Sequence, residues 1–382
     1  MRNATSARPA RGNSPAGTKS LFMHDLKTLG WDSFFEKEFE PFKNAGYGVG
    51  RVALEHKGGY RLYTESGELA AEITGRVRFE ALSRADFPAV GDWVVITVPP
   101  GEAKASIHAI LPRKSKFSRK VAGSVTDEQL VATNIDTVFL IQSLDKNYNL
   151  RRLERYLVLA LESGAAPVII LSKTDLIDSV GERLLEVEAI APGIPVHAIS
   201  TKMNEGLEQL SAYLGLGRTI AFLGMSGVGK STLINRLVGR DVQKVQEVRE
   251  HDHRGVHTTR HRELIILPAG GLLIDTPGMR ELQLWDVGEG LSDSFTDVET
   301  LAAGCRFSDC THKQEPDCAV RDAIENGSLD PKRLENYLKM GKELEYLESR
   351  QDTRTQLKRK ERTRKFMKEY NKIKRHKPNK PN

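Results

Sequence analysis

The sequence predicts an α/β chain: a parallel sheet covered by helices on both faces, a small five-stranded barrel before it and a helical segment after it. Three observations carry this. Between Tyr47 and about Arg113 short alternating runs are parted by turn signals, from about Asn134 buried-strand runs alternate with helix-period segments, and after Gly278 the strand pattern stops. Strands alternating with helices give a parallel sheet, because each crossover helix lies across a sheet face.

The 382 residues are 39% hydrophobic and 28% charged, with a net charge of +6. At about 100–200 residues per domain, that length supports two or three cores and excludes a peptide, a fibre or a wholly disordered chain. The longest apolar stretch, Tyr156 to Leu171, is broken by Glu162, Ser163, Gly164 and Pro167, short of the ~20 apolar residues a membrane span needs. No segment is expected in a membrane. The charge is uneven: residues 1–20 carry +4, residues 21–349 carry −9, and residues 350–382 carry +11. An acidic body between basic ends points to ends that meet a polyanion. The three cysteines all lie within residues 305–318, which is no secreted disulfide framework, so the cytosol is the expected compartment and a monomer the expected state.

Residues 1–44 read as a disordered or extended leader, because the first twenty are Ser, Arg, Pro and Gly with almost nothing to bury. The same composition fits a transit peptide, so a targeting role stays open. Residues 45–115 read as the barrel. VGRVALE, YRLYT, ELAAEITGRVRF, WVVITV and SIHAIL are its five strands, parted by Lys57-Gly58-Gly59, Ser66-Gly67, Gly91-Asp92 and Pro99-Pro100-Gly101. Short strands with no helix long enough to cover a sheet close on themselves; an oligonucleotide-binding (OB) barrel and a purely structural one are both open.

Residues 116–285 hold the α/β unit, with DTVFLIQSL, APVIILS, IPVHAIS and RTIAFLG as buried strands and Leu150, Leu153, Leu157, Ala160 and Leu161 on one helix face. Residues 286–349 read as a helical unit whose last helix starts at Asp330-Pro331 and carries Leu334, Tyr337, Leu338, Leu344 and Leu347 as its stripe. Residues 350–382 form a basic tail in which Phe366 and Tyr370 add stacking surfaces, as RNA binding requires.

Gly224-Met225-Ser226-Gly227-Val228-Gly229-Lys230-Ser231-Thr232 fits the phosphate-loop pattern G-x-x-x-x-G-K-[ST]. It follows the strand Thr219–Leu223 and opens a helix that turns Leu233, Ile234, Leu237 and Val238 inward and ends at Gly239. The glycines let backbone N–H groups converge on phosphates, Lys230 reaches the β- and γ-phosphates, and the Ser231 hydroxyl ligates Mg²⁺. Leu272 to Gly278 is an apolar strand ending in Asp275-Thr276-Pro277-Gly278. At such a strand end Asp275 holds Mg²⁺ through water and the Gly278 amide senses the γ-phosphate.

Ser172-Lys173-Thr174-Asp175 ends one buried strand, and Ser200-Thr201-Lys202 ends the next. The first resembles the guanine-reading N-K-x-D of GTPases, in which the carboxylate accepts from the base N1–H and exocyclic amine while the Lys stem covers the base face. Adenine offers the opposite polarity at that edge, so Asp175 selects guanine. Ser172 stands where the pattern has Asn, which is expected to weaken the base contact or the tether to the phosphate loop.

Cys305-x4-Cys310-x-His312-x5-Cys318 supplies three thiolates and an imidazole, a Cys₃His complement for one tetrahedral Zn²⁺. Four protein ligands leave no open position, so this zinc reads as structural.

The order of the motifs is informative. Ordinary GTPases run phosphate loop, switch, D-x-x-G, N-K-x-D, then S-A-K; this chain runs S-K-T-D, A-I-S-T-K, phosphate loop, a switch-like stretch, then D-T-P-G. That is a circular permutation, tolerable because all these loops sit at the C-terminal edge of one parallel sheet.

On these residues, together with Val90-Gly91-Asp92 and Gly255-Val256-His257-Thr258-Thr259, the chain resembles the ribosome small subunit-dependent GTPase A family over about residues 45–349. The resemblance implies an OB barrel, a circularly permuted GTPase and a zinc-binding domain. It implies a GTP hydrolase acting late in maturation of the small (30S) ribosomal subunit, with rRNA bound by the barrel and the zinc domain and hydrolysis stimulated by the subunit. Gly255–Thr259 then reads as switch I, with Thr259 preferred to Thr258 for completing the Mg²⁺ shell. Met279 follows the D-x-x-G glycine where a water-orienting Gln is usual, and a thioether cannot orient water. His257 is the substitute, with a histidine that packs or touches RNA as the open alternative. A GTP-gated RNA-binding module, in which hydrolysis only resets binding, is the other reading of the whole; an ATP-using kinase is opposed by Asp175.

Overall fold

The computed structural model describes residues 24–346 except 57, 103, 121–127, 240–261 and 276–289. Five strands, β1 (Gly48–His56), β2 (Gly59–Thr64), β3 (Gly67–Ile73), β4 (Trp93–Thr97) and β5 (Lys104–Ile110), pair in the order β1-β2-β3-β5-β4, and β4 returns to β1 to close a barrel. The β3–β5 pair is parallel and the others antiparallel, the connectivity of an OB barrel. Val52, Leu62, Ala71, Val94 and Ile107 fill its interior, since alternate residues of each strand face inward. The third expected strand is shorter than its apolar run implied: after Ile73, Thr74 caps the helix α1 over Gly75–Glu80 through its side chain and the Val77 N–H. A hydroxyl that satisfies a free helix amide redirects the chain there.

The leader expectation fails for residues 24–44. A 3-10 turn, Leu26–Leu29, and an 11-residue helix, Ser33–Lys43, precede the barrel; Asp32 caps that helix by accepting from Phe34 N–H at 3.0 Å. Leu29, Phe35 and Phe39 are buried, and Trp31 meets Trp93 edge-on at 4.8 Å. Sinking aromatics of this size stabilises roughly 1.5–3 kcal/mol each, enough to fix the segment to the barrel.

Beyond the barrel come a hairpin, β6 (Lys116–Lys120) and β7 (Glu128–Thr133), and then the α/β unit: β8 (Thr137–Ser143), helix α2 (Leu150–Ser163), β9 (Ala166–Ser172), helix α3 (Val180–Ile190), β10 (Val196–Ile199), β11 (Thr219–Gly224), helix α4 (Lys230–Val238), β12 (Glu263–Ile266) and β13 (Leu272–Asp275). The sheet order is β10-β9-β8-β11-β13-β12, parallel except for β12. Successive residues face opposite layers. Leu140, Ala221 and Leu223 pack with Leu153 and Leu157 of α2, whereas Phe139, Ile141, Ile220 and Phe222 pack with Leu233, Ile234 and Val238 of α4.

Strand β12 also pairs with β1, Leu54 opposite Glu263, so barrel and α/β sheet are one continuous 11-stranded sheet. The Val90-Gly91-Asp92 turn sits at the same seam. A Cβ on Gly91 would lie 2.1 Å from the Thr133 carbonyl oxygen, so only glycine fits. Asp92, fully buried, pairs with Arg113 at 2.7 Å.

The C-terminal part is helical: α5 (Gly290–Ser294), α6 (Thr296–Ala303), α7 (Ala319–Glu325) and α8 over residues 331–346. It packs on α2. Buried Glu154 of α2 lies 2.9 Å from the Arg333 guanidinium, which also reaches Asp297 of α6. No helix among the described residues is long and apolar enough to cross a membrane.

Candidate functional site

The C-terminal ends of the parallel strands bring the expected loops together. Strand β11 runs into the phosphate loop, whose Gly227 and Gly229 take φ of 81° and 96°, a region open to glycine at little cost. A Cβ on Gly224 would lie 2.6 Å from the Ile141 carbonyl oxygen, so the loop's first glycine sets how closely it approaches β8. Lys230 opens α4 and donates to the Gly224 and Met225 carbonyl oxygens. Val228 is buried and Met225 packs on the α4 core; Ser226, Ser231 and Thr232 stand along the loop and the first turn of α4, partly or fully exposed.

Ser172, at the end of β9, donates through Oγ to the Val228 carbonyl oxygen at 2.7 Å. The tether to the phosphate loop therefore survives with serine in place of asparagine, by a hydroxyl rather than an amide. Thr174 and Asp175 lie in the 3-10 turn Thr174–Leu176. Asp175 accepts from Ser200 Oγ at 2.6 Å, and Lys202 Nζ lies 4.0 Å from it, so the S-K-T-D and A-I-S-T-K loops meet at one carboxylate; Thr201, between the two, is partly exposed. Asp175 is not the cap of a helix; its carboxylate faces the neighbouring loop.

Asp275 ends β13, the parallel neighbour of β11 in register Ala221 opposite Ile274. That places it beside the strand that feeds the phosphate loop. His257, Thr258, Thr259, Gly278 and Met279 lie outside the described residues.

Lys173 takes φ of 62°, and its ammonium pairs with Asp145 at 2.8 Å. Asp145 was missed in the sequence, although it follows a buried strand exit in the way that Ser172–Asp175 does. Desolvation pushes its pKa up; the Lys173 ammonium, the Asn147 N–H and the Ser143 hydroxyl outweigh that and hold it below the ordinary carboxylate value.

In the helical part, the ligand atoms of Cys305, Cys310, His312 and Cys318 all lie within 4.8 Å of one another. Cys305 and Cys318 sulfurs are 3.8 Å apart, and His312 Nδ1 is 3.6 Å and 3.5 Å from them. Tetrahedral zinc, with Zn–S of about 2.3 Å and Zn–N of about 2.0–2.1 Å, requires S–S near ~3.8 Å and S–N near ~3.5 Å. The four residues fit one zinc ion. His312 at φ 59° and Asp317 at φ 53° mark the two turns that fold the ligand loop back on itself.

The family model described as RsgA GTPase matches residues 110–285. The small ribosomal subunit biogenesis GTPase RsgA of Opitutus terrae is 47% identical over 337 residues, covering 86% of this chain and 92% of that protein. This chain belongs to the RsgA GTPase family. RsgA 1 of Oceanobacillus iheyensis, also a small ribosomal subunit biogenesis GTPase, is 47% identical across 80% of this chain and 88% of its own. Among solved structures, YjeQ of Thermotoga maritima superposes with a TM-score of 0.59 at 29% identity, covering 78% of this chain and 98% of that one. The circularly permuted GTPase YloQ gives 0.57 at 26% identity, covering 78% and 95%. As an RsgA protein the chain is a GTPase, and its fold is the permuted GTPase expected from the order of its motifs.

Proposed function

We propose that this RsgA GTPase hydrolyses GTP during late maturation of the small ribosomal subunit, with the subunit stimulating turnover. The family's curated members carry subunit biogenesis in their names, and the carrying structural observation is that Ser172 is bonded to the phosphate loop while Asp175, three residues on, is bonded to Ser200 of the next loop. The barrel (45–115) and the zinc domain (286–349) grip rRNA, and the basic tail at 350–382 neutralises phosphates. The permuted GTPase occupies 116–285. The protein works as a monomer in the cytoplasm.

In the site, Asp175 accepts from the guanine edge, and the amides of Gly224–Thr232 and Lys230 hold the phosphates. Ser231, Asp275 and Thr259 are the residues that would hold Mg²⁺, which neutralises charge developing on the β- and γ-phosphate oxygens. His257 positions the attacking water in place of Met279, and the Gly278 amide senses the γ-phosphate. The cysteines and His312 hold a structural zinc that keeps the rRNA-facing helices in shape.

Purified 30S subunits should raise steady-state GTP turnover by at least tenfold, and a His257→Ala protein should bind them without that rise. Turnover unchanged by subunits that are demonstrably bound would overturn the reading.

A further inference from the structure

Lys173 is constrained from both ends. Its backbone is held in the left-handed region, between Ser172, whose hydroxyl is bonded to the phosphate loop, and Asp175, bonded to Ser200. Its ammonium is 2.8 Å from Asp145 Oδ2, with the two side chains 27% and 17% exposed. Asp145 is itself immobilised: its Oδ1 accepts from Ser143 Oγ at 2.9 Å and from the Asn147 N–H at 2.9 Å. The turn that carries it is braced in turn, because the Asn147 carbonyl accepts from Gln142 Nε2 at 2.9 Å and from the Arg152 guanidinium at 3.0 Å. A lysine tied by its backbone and its charge has only its methylene stem left to offer a planar ligand, and that stem is its apolar part.

We propose that Asp145 is a positioning residue of the guanine site, clamping the Lys173 ammonium aside so that the aliphatic stem lies over the base. The inference rests on reading Ser172–Asp175 as the guanine loop. Without the clamp, Lys173 regains side-chain freedom that binding must then remove. The base is far from the γ-phosphate, so the loss falls equally on GTP and GDP and leaves the chemical step alone.

The test is nucleotide binding by the full chain, read with fluorescent guanine nucleotides, beside steady-state kinetics. Asp145→Asn should raise Kd for GTP and GDP alike by about 5–30-fold and leave kcat at saturating GTP within about twofold. Lys173→Met keeps a stem and removes the charge, so in that background Asp145→Asn should change nothing further. Unchanged affinities, or losses that simply add in the double variant, overturn the clamp. Should Asp145→Asn fail to fold, Lys173→Met decides: a stem that no carboxylate holds should raise Kd for GTP and GDP by the same factor of about 5–30, and affinities within about twofold of the unmodified protein reject the clamp. Asp175→Asn is the separate arm. It should move base preference from guanine toward xanthine; an unmoved preference sinks the guanine-loop reading itself, whereas a moved one with a silent Asp145→Asn sinks only the clamp.

Discussion

Arg51, in β1 of the barrel, donates a 2.9 Å hydrogen bond to the Thr219 hydroxyl at the first residue of β11, the strand that ends in the phosphate loop. The same guanidinium donates to the carbonyl oxygens of Leu29, Gly91 and Asn134. One buried cation thus pins the N-terminal turn, the barrel and the α/β sheet at a single point. Desolvation pulls its pKa down to about 10 against the charges of Asp136, Asp92 and Asp32; it remains protonated at neutral pH, so its donors stay available.

Arg51→Met should therefore cost about 3 kcal/mol or more of global stability, since the Leu29, Asn134 and Thr219 acceptors lose this donor at about 1 kcal/mol or more each, while the Gly91 carbonyl keeps that of Asn134 Nδ2. Lysine should not rescue it, because an ammonium on a straight stem cannot reproduce the planar fork. Urea unfolding followed by the Trp31 and Trp93 fluorescence measures this. A loss below about 1 kcal/mol would show that water takes over the acceptors.

The tether from Ser172 Oγ to the Val228 carbonyl joins the Ser172–Asp175 loop to the phosphate loop at 2.7 Å. Ser172→Ala removes a neutral hydrogen bond of about 0.5–1.5 kcal/mol, which should appear in the unfolding free energy, and the loosened loops should bind GTP and GDP more weakly by up to roughly 13-fold. Equal affinity in titrations of the two proteins would mean the loops hold each other by packing alone.

Much of this architecture was legible in the sequence, for identifiable reasons. The phosphate loop is legible because glycines at fixed offsets after an apolar strand have one common use, and the permutation because motif order needs no geometry. The N-terminal helix was not read, although Trp31, Phe34, Phe35, Phe39 and Phe42 recur at helical spacing; the preceding low-complexity stretch set the expectation. Asp145 was hidden for a different reason. Its role depends on two neighbouring strands ending level, Ser143 of β8 opposite Ser172 of β9, which no local pattern announces.

Cys318 is 2% exposed and shares its loop with the other three ligands. Structural zinc supplies of the order of 10 kcal/mol to such a fold, so Cys318→Ser or a strong chelator should release one zinc per chain and unfold the segment between α6 and α7. Guanine-nucleotide affinity should stay within about twofold of the unmodified protein, because α4, the helix that the phosphate loop opens, packs on the face of the sheet opposite α2. Metal analysis beside nucleotide titration checks both halves; a collapse of nucleotide binding would show that the zinc region supports the GTP site directly.

Arg155 of α2 grips Glu343 of α8 through two hydrogen bonds, 2.8 and 2.6 Å. The hydrogen bond from Arg155 holds the Glu343 carboxyl below its ordinary 4.5, with burial opposing. A depressed acid stabilises the fold above its unfolded pKa, and that contribution is lost as pH falls through the lower folded value. Wild type should exceed Glu343→Gln by about 1 kcal/mol near neutral pH, with the difference shrinking below about pH 4.5. Denaturant curves for both proteins across that range test it; a gap that stays constant with pH would place the Glu343 contribution in packing.

Strand β12 is the first strand after Gly255–Thr259 in the chain, and it is bonded to the nucleotide-side strand β13 on one edge and to the barrel on the other. The barrel's hold is reinforced by side chains: Tyr63 OH donates to the Leu264 carbonyl at 3.2 Å, and Arg61 pairs with Glu263. A load placed on the barrel by the proposed docking of the small subunit would therefore reach β12, which follows Gly255–Thr259 in the chain and pairs with β13, through hydrogen bonds. Tyr63→Phe combined with Arg61→Gln leaves the barrel core untouched, so intrinsic GTP turnover and affinity for 30S subunits should hold within about twofold. The stimulation by subunits should drop by about fivefold or more, visible as a lower kcat with subunits at saturation. Full stimulation in that double variant would route the signal through the zinc domain instead.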